Sequence, residues 1–216
     1  MSIKAIIFDM DGVILDSETI SDRTWDMAQK EMNVSTDKDY INMCRGSNHN
    51  DTIQILHDVF GADFDAEGFL TRATSHFYEI EKNEGIPLMP YAKEILNYLK
   101  PKYRLALASS TNGRAVERQL TNAGIIDFFE TRTTGEMVEH SKPDPEIYLM
   151  ACRSLGLKPE ECIAVEDSPN GIRSAAAAGL KVIMVPDKIE PFPELDMLCW
   201  QICLTLKNLE EFLYFI

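Results

Sequence analysis

Positive charge is scarce in this chain: Lys and Arg number 21 against 35 Asp and Glu, a formal net charge of -14 over 216 residues. That balance repels a phosphate backbone and an anionic lipid surface, so a nucleic-acid partner and a membrane-surface role are excluded as expectations. A small anionic ligand would need its charge met locally, by a metal ion, one or two lysines, or N–H groups at helix starts. Cysteine is sparse too. Five residues (44, 152, 162, 199 and 203), an odd number without a Cys-x-x-Cys pair, fit reduced thiols and argue against a disulfide framework or a zinc site. The four histidines, His49, His57, His76 and His140, show no metal-ligand spacing. No apolar run approaches the ~18 residues of a membrane span. The N-terminal run stops at Asp9 and Asp11 before any signal-peptide core develops, so a cytoplasmic location is expected. Gly and Pro together are 21 residues and apolar residues make up 45%, which excludes low complexity and disorder.

Against these absences stand four short β-branched or alanine-rich runs: 3–8, 104–108, 162–165 and 181–185. Each reads as a strand buried on both faces of a parallel sheet. Segments of helical period separate the later ones, at 92–99, 114–122 and 146–155, and alternating strand and helix predicts a doubly wound α/β sheet. The stretch 16–85 breaks that rhythm with helical periodicity alone, at 20–32, 51–60 and 66–82. It reads as an all-helical insertion, the sheet resuming near Gly85-Ile86-Pro87. A last strand is expected near 200–204 and a last helix over 206–215.

Chemistry gathers at the predicted strand ends. Asp9 and Asp11 close the first strand, two residues apart, and Gly12 lets the backbone turn away. Taken alone, Asp-x-Asp-Gly is equally an exposed acidic turn; an EF-hand loop is ruled out because Gly12 falls at its fourth position and not its sixth. Ser109-Ser110-Thr111-Asn112 forms a polar lip after the second strand, and Lys142 precedes Pro143. Val165-Glu166-Asp167-Ser168-Pro169 reads as strand, carboxylates, N-cap and first helical residue. In an open α/β sheet this edge is where ligands bind. Magnesium, with its oxygen-only preference, suits carboxylates without histidines.

The series Asp9-Met10-Asp11-Gly12-Val13, Ser109, Ser141-Lys142-Pro143 and Glu166-Asp167-Ser168 resembles the haloacid-dehalogenase-like (HAD) hydrolases. Within them it is similar to the branch of β-phosphoglucomutase and small-sugar phosphatases, in the right order over nearly the whole chain. The resemblance implies a Rossmann-like three-layer core with a parallel sheet, residues 1–15 and 86–216, and a helical cap domain, 16–85. It implies Asp9 as nucleophile forming an aspartyl-phosphate and Asp11 as general acid and base. Ser109, with Ser110 and Asn112, would bind phosphate, and Lys142 would be the cation on the transferring group. Mg²⁺ would be held by Asp9, the Asp11 carbonyl and Asp167, with Glu166 binding metal-bound water or steering Lys142. Four ionised carboxylates and a phosphate dianion exceed the charge of one Mg²⁺ and one lysine by about three, which favours a protonated Asp11 able to act as an acid.

In the resembling family the cap contacts the leaving group, and the loop from Arg45 to Asn50, with Gly46, Ser47 and His49, is the expected specificity segment. His49 stands where β-phosphoglucomutase carries an arginine for its substrate's distal phosphate, Ser21 matches a mutase histidine, and Asn112 replaces a mutase lysine. Loss of those cations ranks hydrolysis above mutation. The expected activity is therefore Mg²⁺-dependent hydrolysis of a small phosphorylated metabolite, a sugar phosphate in particular. A phosphosugar mutase is the alternative, and a non-catalytic phosphometabolite-binding module the more distant one. No protein partner is read from the sequence.

Overall fold

The computed structural model describes residues 2–45 and 49–215, so expectations for Gly46 and Ser47 lie outside the described residues. It divides into two compact units, Met1–Asp16 with Pro87–Ile216, and Ser17–Ile86.

In the first unit six parallel strands run in the order β3-β2-β1-β4-β5-β6: β1 (Ala5–Phe8), β2 (Arg104–Ala108), β3 (Thr131–Thr133), β4 (Cys162–Glu166), β5 (Lys181–Met184) and β6 (Gln201–Ile202). All four residues of β1 are wholly buried, the condition of a central strand covered on both faces. Burial of a side chain the size of Ile or Phe is worth about 1.5–3 kcal/mol, which is why so short a strand holds the middle of the sheet. One face, including Ala5, Ile7, Ala106 and Ala164, packs against Ile147, Tyr148, Ala151 and Leu155 of α7 (Glu146–Leu155) and against Ile172 and Ala175 of α8 (Pro169–Ala177). Small alanines on β2 and β4 leave space there for the larger helix residues. The alternate residues Ile6, Phe8, Leu107, Ile163, Val165 and Ile183 are also wholly buried, on the other face. The remaining helices of this unit are α5 (Ala92–Leu99), α6 (Gly113–Asn122), α9 (Pro193–Asp196) and α10 (Leu206–Tyr214). Strand order reverses between β1 and β4, which makes their carboxyl ends the switch point of the sheet.

The second unit contains α1 (Ser17–Glu31), α2 (Tyr40–Cys44), α3 (His49–Phe60) and α4 (Ala66–Glu84). Its core is aromatic. Phe69 is wholly buried, with the ring centroids of Trp25, Tyr40, Phe60 and Phe64 at 5.4, 6.1, 6.4 and 5.8 Å. Arg45, a tenth exposed, joins the end of α2 to α1 by donating to Glu18 Oε2 and Asp22 Oδ1, each at 2.5 Å.

The expected strands form as read, including the edge strand near 200–204. Among the strands and α-helices, three escaped the sequence. The β3 strand is three residues, Thr-Arg-Thr, without an apolar run, and α2 and α9 are five and four residues, too short to show a period. The five cysteines are free thiols. Among the described residues no helix is long and apolar enough to cross a membrane.

Phe69→Ala is expected to cost about 3–5 kcal/mol, the range for removing a buried aromatic ring. Chemical denaturation of the full chain checks this, and a loss below about 1 kcal/mol contradicts the ring cluster as the core of the helical unit.

Candidate active site

Strand register builds the centre of the site. Phe8 pairs with Leu107 of β2 and with Val165 of β4, so the next rung carries Asp9, Ala108 and Glu166 side by side. Lys142 Nζ donates to all three, to Asp9 Oδ1 at 2.6 Å, Glu166 Oε1 at 2.6 Å and the Ala108 carbonyl at 3.1 Å. An ammonium has three N–H bonds, and these contacts use each of them. Asp9 and Glu166 are buried, Glu166 completely.

The electrostatics follow from that burial. Desolvation pushes the Asp9 carboxyl up to about 8; Lys142 opposes the shift, and the charges of Glu166 and Asp11 add to it. For Lys142 burial alone acts downward, but the Asp9 and Glu166 carboxylates outweigh it and hold the ammonium charged, above the ordinary lysine range.

Asp9, Glu166 and Asp167 form a group whose candidate ligand oxygens all lie within 4.8 Å of one another. One lysine does not neutralise three clustered carboxylates. An oxygen-only donor set of this kind fits Mg²⁺. Gly12, at φ +74°, shapes the same place: a Cβ there would lie 2.3 Å from Asp167 Oδ2, so only glycine lets the backbone approach that carboxylate.

Asp11 sits on the β2 side. Its Oδ2 accepts from Thr111 Oγ1 at 2.9 Å and from Ser109 Oγ at 3.5 Å. Its side chain is not among the three clustered carboxylates, so the ligand role expected for it rests on its carbonyl. Ser109 is wholly buried, and its Oγ also accepts from the Thr111 N–H at 3.1 Å. Ser110 is exposed on the same lip.

Asn112 is the N-cap of α6, its Oδ1 accepting from the Ala115 N–H at 3.0 Å, a contact that leaves its amide N–H groups unused by the cap. At the helix starts, Glu136 accepts the Gly113 N–H at 2.7 and 2.9 Å, and Ser168 Oγ accepts the Gly171 N–H at 3.1 Å. His49, expected in a loop, opens α3 with its Nε2 2.9 Å from Glu67 Oε1, and Arg45 is held by Glu18 and Asp22.

Three site residues were missed. Tyr148 donates to Glu166 Oε1 at 2.7 Å, Thr111 orients Asp11, and Gly171 makes room for Glu166, since a Cβ there would lie 2.0 Å from its carboxylate. Thr111, two residues past Ser109, was the one of the three with a visible signal.

With the geometry in place, comparison with known proteins defines the class. Residues 6–185 match the family model described as haloacid dehalogenase-like hydrolase, and the chain belongs to that family. It is 31% identical to hexitol phosphatase A of Escherichia coli (strain K12), over 98% of this chain and 94% of that protein. It is 30% identical to a phosphorylated carbohydrates phosphatase of Thermotoga maritima, over 83% of each chain. A crystal structure of a candidate β-phosphoglucomutase from Thermotoga maritima superposes with a TM-score of 0.81 at 25% identity, covering 99% of this chain and all of that one.

Lys142→Met keeps the length of the side chain and removes its charge. Hydrolytic turnover is expected to fall by about 100-fold or more, the scale of losing one preorganised donor at the reacting group. Steady-state kinetics checks this, and a loss under about threefold contradicts the placement of Lys142 at the reaction centre.

Proposed function

We propose that the chain is a Mg²⁺-dependent phosphatase of small phosphorylated metabolites, sugar phosphates in particular, acting through an aspartyl-phosphate on Asp9. The observation that carries this reading is the single rung on which Lys142 joins Asp9 to Glu166, with Asp167 beside them. Relatives that are phosphatases of hexitols and phosphorylated carbohydrates support it.

In the first half-reaction an Asp9 carboxylate oxygen attacks phosphorus, the bond from phosphorus to the leaving oxygen breaks, and Asp11 gives that oxygen its proton. In the second, Asp11 takes a proton from water as the water oxygen attacks phosphorus, freeing inorganic phosphate and Asp9. The Lys142 ammonium, held against Asp9, supplies positive charge beside the phosphoryl group, the buried Ser109 hydroxyl orients a phosphoryl oxygen, and Thr111 holds Asp11 through its Oδ2. Asp9 and Asp167 would hold Mg²⁺, with Glu166 behind Lys142; the ion supplies charge neutralisation of the phosphoryl oxygens. The general acid at Asp11 and the cation site distinguish this chemistry from carbon–halogen displacement, which needs neither.

A second reading, a phosphosugar mutase, is favoured by the likeness to the Thermotoga maritima structure. It predicts isomerised sugar phosphate and little inorganic phosphate.

A panel of phosphorylated sugars and polyols with Mg²⁺, followed for both inorganic phosphate and organic products, separates the two. Asp9→Asn is expected to lower phosphate release by at least about 1,000-fold, as loss of a covalent nucleophile does. Turnover near the wild-type rate in that variant overturns the mechanism. Metal affinity carries a pH signature as well. Asp9 is raised to about 8 in the metal-free chain and must lose its proton to bind the ion. Mg²⁺ affinity is therefore expected to rise from pH 6 to pH 8, with proton release detectable by calorimetry in buffers of different ionisation heat. An affinity independent of pH across that range contradicts the assignment.

A further inference from the structure

Glu166 is wholly buried, and its carboxylate meets three donors. Lys142 Nζ and the Tyr148 hydroxyl both reach Oε1, at 2.6 and 2.7 Å, and Ser168 Oγ reaches Oε2 at 3.1 Å. Gly171 lies against the same carboxylate at the start of α8, where any side chain would collide with it. Tyr148 is itself wholly buried, and its ring faces the lysine from below, with Nζ 5.3 Å from the ring centroid. One tyrosine therefore touches both partners of the ion pair, the carboxylate through its hydroxyl and the ammonium through its ring.

From this arrangement we infer that Tyr148 is a positioning residue of the active site: its hydroxyl fixes Glu166, and through Glu166 the direction of the Lys142 ammonium toward Asp9. Two carboxylates compete for that ammonium. A carboxylate oxygen shared between Lys142 and a second donor attracts the ammonium less than one bound by Lys142 alone. Tyr148 thus offsets the pull of Glu166 and keeps Lys142 midway, 2.6 Å from each carboxylate. Glu166, with both oxygens engaged, acts as the anchor of the lysine, and the direct carboxylate contacts to a cation fall to Asp9 and Asp167.

The kinetic consequence rests on the phosphatase reading; the positional one does not, and the test has an arm for each. Tyr148→Phe keeps the ring and removes the hydroxyl. In the full chain the Lys142 ammonium resonance, assigned by its disappearance in Lys142→Met, is expected to shift and to exchange faster with water in Tyr148→Phe. An identical resonance overturns the inference, because a purely packing role survives the change to Phe. With p-nitrophenyl phosphate and Mg²⁺, kcat is expected to fall about tenfold with KM changed less than about twofold, the signature of an interaction expressed in the transition state. An unchanged kcat also overturns it. In a Glu166→Gln background the change at Tyr148 is expected to cost nothing further, whereas full additivity shows that Tyr148 does not act through Glu166. Should Tyr148→Phe fail to fold, 3-fluorotyrosine at position 148 retains the shape with a more acidic hydroxyl, and the same resonance is expected to move. Absence of turnover in the wild-type chain counts against the phosphatase reading alone, and the ammonium resonance then decides on Tyr148.

Discussion

A single buried ammonium organises the site. Lys142 is fixed by two carboxylates and a carbonyl that three neighbouring strands present on one rung. Each of these contacts depends on register: a slip of one residue in β1 or β4 would turn Asp9 or Glu166 to the opposite face of the sheet. The apolar burial of β1, β2 and β4 is therefore more than a source of stability. It fixes the spacing at which one cation serves two anions, and the low polarity around them strengthens that attraction. The remaining excess of negative charge suits the same edge to a cation.

Much of this was legible in the sequence because the fold repeats one device. A strand buried on both faces has to be an unbroken apolar run, and its polar successors then mark the ligand-binding edge. Asp9, Ser109 and Glu166 could be read that way, each standing directly after such a run. Lys142 was found differently, through its place before Pro143 in a series that matches a family. What stayed hidden has physical reasons. Tyr148 belongs to the apolar face of α7, where a tyrosine reads as core, and only the fold shows its hydroxyl meeting a carboxylate 18 residues away. Polar residues after a strand serve as caps as well as ligands, and the Asn112 side-chain oxygen caps α6. Gly171 reads as an ordinary helical glycine until the Glu166 carboxylate is seen against it.

The helical unit follows a different logic. Its core is a ring cluster around Phe69, and its charge is strongly acidic, with each of its three arginines close to carboxylates: Arg23 with Glu84, Arg45 with Glu18 and Asp22, and Arg72 with Asp65 at 4.0 Å.

Every step of the proposed reaction depends on Asp9 as the group that accepts phosphorus. Acid quenching during turnover of p-nitrophenyl phosphate, reduction with tritiated borohydride and peptide mapping would locate any acyl phosphate directly. With this mechanism, label is expected at Asp9 and at no other carboxylate. Label at Asp11, or steady turnover with no trapped acyl phosphate, would contradict it.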